Sequence, residues 1–559
     1  MTRENITKMN KFLVLNDKRK SIFYIIFSFL FSLSMTMGYR VYGTNSLNLT
    51  SAKSVILWIL LTVLLTVLIY FIIFAAGFLD DRFKGKIYKK FLSNKFSAFW
   101  VTPFKPINRW ILLLIFALVL IIAWLPSFLS YYPMMNSYDL FYTSPYWFSQ
   151  TGQARSGDYF NHHPVLHTFF WKLALDAGDK YNVSPFVLFS IGQMLVVSVL
   201  FAKVVVYMCM KKKSKTVCLL TLIFFAIPVN GIFVQIPVKD VSLAVVLLLF
   251  TLNLYRIFNH DEGVNYVSGI VMAIVEGLLC CMFRRNFIYA FVVFFILALF
   301  FGKGFRKYAT IIFVGVTVSF ALISGPLFKH IGVRPGEKRE ALSVPIQQLA
   351  YVINYAPEKL TDENIFEISA YMPYYDRYNP RFADPVKDVM NDELLEGNFI
   401  NFIKLWGKVG LKCPGEYIDS FLTLNIPYWY MGADTIDPYA QRTFIERGNY
   451  EDHTPLISEN VLRFLEKEGD FEGIDSWPII RILFKLALPL WLLSFAAIKC
   501  FGEKKNATAM VMVLLLCLVL TFLLGPVSNM RYIYPIFICY PIIVFLCISR
   551  KGNQSNENI

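Results

Sequence analysis

Charge is scarce in this chain: Asp, Glu, Lys and Arg make up only 17% of its 559 residues, whereas 56% are hydrophobic and 17% aromatic. Soluble domains carry about a quarter charged residues. With a mean hydropathy of +0.51, water is excluded as the main solvent of this surface. Cysteine pairs are missing as well. The nine cysteines include no CxxC pair, and all but Cys413 lie in or beside apolar runs. That pattern supports neither a disulfide framework nor a zinc site. Short segments of alternating polarity are lacking, which excludes an outer-membrane barrel, and there is no internal repeat or low-complexity segment. The basic start is followed by no small-residue cleavage signature, so Ser21 to Tyr39 reads as a retained anchor.

What is present is a series of apolar runs of about 20 residues, the length a bilayer requires. They predict an all-α polytopic membrane protein with about twelve transmembrane helices. The first nine are expected near 21–37, 55–78, 110–128, 185–209, 216–230, 241–257, 267–283, 287–301 and 309–327. Three more follow near 479–498, 507–524 and 532–548.

The net charge of +15 is unevenly spread. Between Ile331 and Pro478 there are 14 Lys+Arg against 25 Asp+Glu. Basic clusters at Arg3 to Lys20, Arg82 to Arg109, Lys211 to Lys215, Lys303 to Lys307, Lys499 to Lys505 and Arg550 with Lys551 all fall on one side of the twelve-span scheme. This is the positive-inside pattern, not a nucleic-acid footprint. It predicts a multi-pass protein of the plasma membrane with both termini cytoplasmic and no nucleic-acid partner.

Four segments result. Residues 1–108 hold a cytoplasmic start and two helices, and 109–330 a transmembrane core with an outer loop at 129–184. Residues 331–478 form an extracytoplasmic acidic loop domain, and 479–559 the last helices and a cytoplasmic tail. The acidic stretch is too long for a simple connector. Short helices are expected over 366–378 and 398–411, and Tyr371 to Tyr378 and Tyr428-Trp429-Tyr430 are expected to supply aromatic surface.

Candidate chemistry begins after the third span, with Tyr131-Tyr132-Pro133 leading to Ser137-Tyr138-Asp139 and then Asp158 and Asn161-His162-His163-Pro164-Val165-Leu166-His167. Aromatic residues between Asp139 and Asp158 suit an interfacial helix. Asp139 is then either a cap for that helix or a general base held at the membrane face. His162 and His163 have three open readings: contact with a phosphate, metal ligation with Asp158 and Asp139, or a structural cluster before Pro164. The scheme also brings Lys239, Arg284, Arg285, Arg339 and Arg531 to the outer face. Cations there run against the positive-inside trend, and each either grips an anion, snorkels, or pairs with Asp240 or Glu340. Glu276 lies deep in the seventh span, where a carboxylate must be protonated, paired or wet. Lys203 and Lys485 are candidate partners.

These motifs resemble those of the GT-C superfamily of integral-membrane glycosyltransferases, and within it a poorly characterised bacterial branch. The resemblance rests on Tyr131 to Asp139, His162 to His167, Val238-Lys239-Asp240, Phe283-Arg284-Arg285-Asn286, Arg339 to Pro345 and Met530-Arg531-Tyr532-Ile533-Tyr534-Pro535. It runs from about Trp110 to the C-terminus, and the two helices before it depart from the usual pattern.

The resemblance implies transfer of a sugar from a polyprenyl-phosphate donor to an acceptor hydroxyl of a glycan, lipid or protein on the extracytoplasmic face of the bilayer. Asp139 would be the catalytic base. Tyr138, His162, His163, Lys239, Arg284, Arg285, Arg339, Arg531 and Tyr532 would contact substrate. A divalent cation (Mg2+ or Mn2+) stays open as cofactor, with Asp139, Asp158 and His162 as candidate ligands. The residue types suit the reaction independently: a carboxylate takes the proton, and a departing phosphate needs cations in place of a protonating acid. The rival expectation is a transporter or flippase of lipid-linked saccharides, whose polar residues would sit near the midplane.

Overall fold

The computed structural model describes residues 18–47, 51–93, 95–105, 107–135, 150–211, 213–433 and 477–548, with 456–457, 460–461 and 464 between. Among them all regular structure is helical. Eight helices are long and apolar enough to cross a membrane, and one bent pair makes a ninth.

The chain opens with α1 (Lys18–Thr44) and α2 (Ala52–Ser93), an antiparallel pair. Along its apolar stretch, Ala52–Gly77, α2 buries only 6% of its residues. Leu57, Leu60, Leu64 and Phe71 face outward. Such a length and apolarity suit a lipid environment. The core then begins with α3 (Arg109–Ser130), α4 (Val165–Tyr181) and α5 (Pro185–Met210). Where one continuous span was expected over 216–230, the chain forms α6 (Lys215–Ala226) and α7 (Pro228–Gln235), bent by 47°. Pro228 is the cause, since it has no N–H to continue the helix but fits the first turn of a new one.

Next come α8 (Lys239–Phe258), α9 (Tyr266–Phe283), α10 (Phe287–Phe301) and α11 (Arg306–Leu322). Helix α8 packs against α5 and α9 and is 72% buried along its apolar stretch. It is apolar on all sides because it has protein on all sides. Beyond α11 a π-helical turn at Ile323–Leu327 accommodates Pro326.

Outside the bundle, α12 (Ser343–Tyr355), α13 (Asp362–Tyr371), α14 (Phe399–Lys412) and α15 (Pro414–Leu424) enclose a separate apolar core built on Ile346, Leu349, Ile368, Phe402 and Val409. The chain returns as α16 (Leu488–Gly502), α17 (Asn506–Phe522), α18 (Met530–Ile538) and α19 (Tyr540–Ile548). Helix α18 packs on α8, and α1 packs on α16.

The expected aromatic surface at 428–430 is instead an anchor between these two bodies. Tyr428, Trp429 and Tyr430 are at most 9% exposed. The Tyr428 hydroxyl accepts from the Asn529 N–H at 2.9 Å, and the Trp429 carbonyl accepts from Trp491 Nε1 at 2.8 Å and Ser34 Oγ at 2.7 Å. Large rings at a junction are buried because no other residue removes as much apolar area from water. The expected helix over 366–378 ends at Tyr371, which is also buried; Tyr374 is exposed.

Candidate functional site

Three helix N-termini meet at one end of the bundle. Asp240 lies in the first turn of α8, Arg531 in the first turn of α18, and Arg284 and Arg285 occupy the short break between the end of α9 and the start of α10. Asp240 is completely buried. Its Oδ1 accepts from Arg284 Nη1 at 2.5 Å, and its Oδ2 lies 3.5 Å from Arg531 Nε. A carboxylate in the first turn complements the helix dipole, whereas Arg531 at the same position opposes it. The geometry therefore sets one favourable carboxylate against two cations.

Aromatic rings complete the cluster. The Arg284 guanidinium lies between Phe522 and Tyr532, 4.6 Å and 4.5 Å from their ring centres. Arg531 lies 5.4 Å from Tyr532. Arg284 Nε also donates to Asn286 Oδ1 at 3.2 Å, and Asn286 donates to Thr521 Oγ1 at 3.0 Å. Asn529 caps α18 by accepting the Arg531 N–H at 2.8 Å. Each guanidinium is thus fixed by a helix terminus, not by a mobile loop.

Arg285 donates to the carbonyl of Asn161 at 2.5 Å. The Asn161–His163 turn is thereby held beside the arginine pair. Asp158 nearby is gripped by both ends of Arg334, at 3.1 Å and 2.9 Å. Backbone bonds from Asn161 N to Arg334 O and from Arg334 N to Tyr159 O, both 2.9 Å, tie the two loops together. His162 stacks on Phe160 and meets His163 edge-on, with ring centres 4.7 Å apart.

Arg339 sits deeper in the outer body. It is 5% exposed and reaches Glu337 at 2.7 Å, Asp392 at 2.8 Å and Glu340 at 3.9 Å. Lys387 joins the same network through Glu340 at 2.9 Å and Asp384 at 2.8 Å. Burial raises the Glu340 carboxyl, but the cations Lys387, His162 and Arg339 more than reverse it, leaving it below its ordinary range. Glu340 therefore couples electrostatically to His162. Desolvation, partly opposed by Lys387, pushes Asp388 up to about 6.

The sequence-predicted residues thus divide. Arg284, Arg531 and Tyr532 converge on Asp240; Lys239 is the preceding residue of α8; Arg285 joins them to His162 and His163; Arg339 belongs to the outer ion network. Tyr138 and Asp139 lie outside the described residues, as does most of the expected interfacial helix. The segment 136–149 leaves from Met135, whose N–H bonds to Gln235 O at 3.2 Å, just before Lys239. It returns at Gln150, bonded to His167 at 3.0 Å.

Among the described residues no three His, Cys, Asp or Glu side chains cluster as metal donors. Asp158, one candidate ligand, already gives both oxygens to Arg334. The described candidates therefore do not fit a metal centre.

The expected pairing with Asp240 or Glu340 is found for Arg284 and Arg531 with Asp240 and for Arg339 with Glu340; what sequence reasoning missed is that one buried Asp240 serves two arginines from distant helices. Glu276 is buried and accepts from Asn253 at 3.2 Å. Lys485, an expected partner, instead donates to the Ala433 carbonyl.

A family model matches residues 154–558, and by that match the chain belongs to a family of unknown function, DUF6020. Comparison with curated proteins and with solved structures finds no match. Asp139 precedes the matched residues, whereas Asp158, His162, Asp240, Arg284, Arg285 and Arg531 fall within them.

Proposed function

For this DUF6020 member we propose a membrane glycosyltransferase that moves a sugar from a polyprenyl-phosphate donor to an acceptor hydroxyl of a cell-surface glycan, lipid or protein. The reading includes the finer topology: twelve spans, both termini cytoplasmic, the site and the body around 331–478 outside the plasma membrane. The observation that carries it is the meeting of three helix N-termini where Arg284 and Arg531 reach one buried carboxylate, with Lys239 next to it in the chain and Arg285 bonded to the neighbouring Asn161 carbonyl. Helix N-termini attract anions, and guanidiniums grip phosphate through paired N–H groups.

In the proposed reaction the acceptor oxygen attacks the anomeric carbon and its proton passes to Asp139. The bond from that carbon to the phosphate oxygen breaks, and its electron pair stays on the phosphate, stabilised by Arg284, Arg531 and Lys239. Tyr532 orients the guanidiniums by stacking. Arg285 holds the His162 loop over the site, and Tyr138 and His163 complete the substrate contacts. Arg339 acts at a distance by shaping the loop through Glu340.

The test is transfer from a labelled polyprenyl-phosphate sugar in membranes. Asp139→Asn is expected to abolish transfer and leave protein level and donor binding intact. Retained activity removes Asp139 as obligatory base.

A second reading, transport or flipping of a lipid-linked saccharide, is favoured by the bent α6–α7 pair and by the buried Glu276–Asn253 contact within the bundle. Movement of labelled lipid without transfer would select it.

A further inference from the structure

The outer body carries a second collection of rings that the proposed reaction does not use. Tyr351 and Tyr355 project from the last turns of α12 with ring centres 5.1 Å apart, and Tyr378 closes a triangle at 6.0 Å and 5.7 Å. Tyr355 is 60% exposed, so the triangle opens to solvent on its side, with Tyr351 and Tyr378 half-buried behind it. Arg381 continues the surface, its guanidinium 5.1 Å from the ring centre of Tyr42 near the end of α1. Asn354, beside Tyr355, is exposed and anchored to the carbonyls of Ala350 and Tyr375, both at 2.8 Å. The half-buried Asp419 is fixed by Ser46 Oγ at 2.6 Å and the Leu47 N–H at 2.9 Å.

From this grouping we propose that the face formed by Tyr351, Tyr355, Tyr378 and Arg381 is a carbohydrate-binding subsite for a neutral oligosaccharide. Three features argue for a sugar. Ring faces match the C–H faces of pyranoses, and the exposed Tyr355 phenol and the Asn354 amide oxygen offer polar groups to sugar hydroxyls, while the Tyr378 hydroxyl is buried and its ring serves as support. Asp419 and Glu416 lie close enough to the Tyr351 phenol to raise its pKa, and their negative charge favours a neutral ligand over an anionic one. The supports are preorganised too, because Asn354 is held on both sides and Gln347 of α12 donates to the Asn379 carbonyl in the Tyr378 turn. A face for an anionic polymer would instead present several unpaired cations. Here Arg381 stands among tyrosines, with Asp419 and Glu416 close by.

This inference deepens the transferase reading by giving the acceptor a chemical class, a glycan chain. Its test reads binding and not transfer, so either can fail alone. Full-length protein in nanodiscs free of sugar detergents would be titrated with hexasaccharides of glucose, mannose and N-acetylglucosamine, using saturation-transfer NMR. At least one is expected to bind. Tyr355→Ala should weaken it about tenfold, Tyr355→Phe should stay within about threefold, and Tyr289→Ala, an exposed tyrosine on α10, should match wild type. Absence of binding by every hexasaccharide, or equal binding by Tyr355→Ala, overturns the proposal. All three variants alter an exposed tyrosine, and thermal unfolding checks that each folds.

Discussion

Arg284 and Asp240 form an ion pair between the residue that ends one bundle helix and the first turn of another, with the carboxylate fully buried. A buried pair is not a large net stabiliser, because desolving two charges costs nearly what their attraction returns. Breaking one half is another matter. Asp240→Ala leaves two guanidiniums facing each other and should destabilise the protein by about 3–5 kcal/mol. Thermal unfolding in nanodiscs measures this, and the loss should shrink when Arg284→Gln is added, since the two sites are directly coupled.

The Asp158–Arg334 pair should behave differently. Both side chains are about half exposed, so the pair contributes about 0–1 kcal/mol to stability. It does align the His162 loop. Asp158→Arg is therefore expected to keep the melting temperature but reduce transfer, and adding Arg334→Asp to restore part of it.

Asp388 supplies a pH signature. Its folded carboxyl is raised to about 6, above its value in the unfolded chain, so the folded state holds the proton more tightly. Stability from this group is greatest at low pH and is lost as pH rises through about 6. Because 57% of the Asp388 side chain is exposed, solvent screens most of this effect: Asp388→Asn should be only slightly more stable than wild type at pH 7, with the gap closing near pH 4. Glu340 has the opposite sign: its lowered carboxyl contributes stability above its unfolded value that is lost as pH falls. Fluorimetric melting across pH separates the two.

Tyr428→Phe tests the anchor. The hydroxyl both accepts the Asn529 N–H and donates to its carbonyl, so removing it leaves two buried backbone groups short of a partner, costing about 1–3 kcal/mol. Asn529 caps Arg531, so transfer should fall with stability while binding of free hexasaccharides persists.

Glu276→Gln distinguishes transferase from transporter. Glutamine keeps an acceptor for Asn253, and transfer should remain near wild type. Proton-dependent movement of lipid-linked saccharide lost in this variant would favour transport.

Much of the helical layout was legible because lipid imposes length and apolarity together. The run ending at Phe283 and the whole of Phe287–Phe301 appear as helices with those limits. The break at Pro228 was hidden, since a proline at a first turn and one in a kinked span look alike in an apolar run. The cations of the site were visible as exceptions to charge asymmetry. Asp240 was legible as a possible ion-pair partner, but its burial between two arginines was not, because Arg284 and Arg531 lie on helices distant in sequence. Tyr428-Trp429-Tyr430 misled for a related reason: a ring cluster has the same composition whether it faces solvent or a neighbouring helix.

The most direct measurement is binding of polyprenyl phosphate to purified protein in nanodiscs, read by native mass spectrometry for wild type and for Arg284→Gln/Arg531→Gln. Saturable binding by wild type and at least about a tenfold loss in the double variant are expected. Equal binding by both would contradict a phosphate site at the meeting of the three helix N-termini.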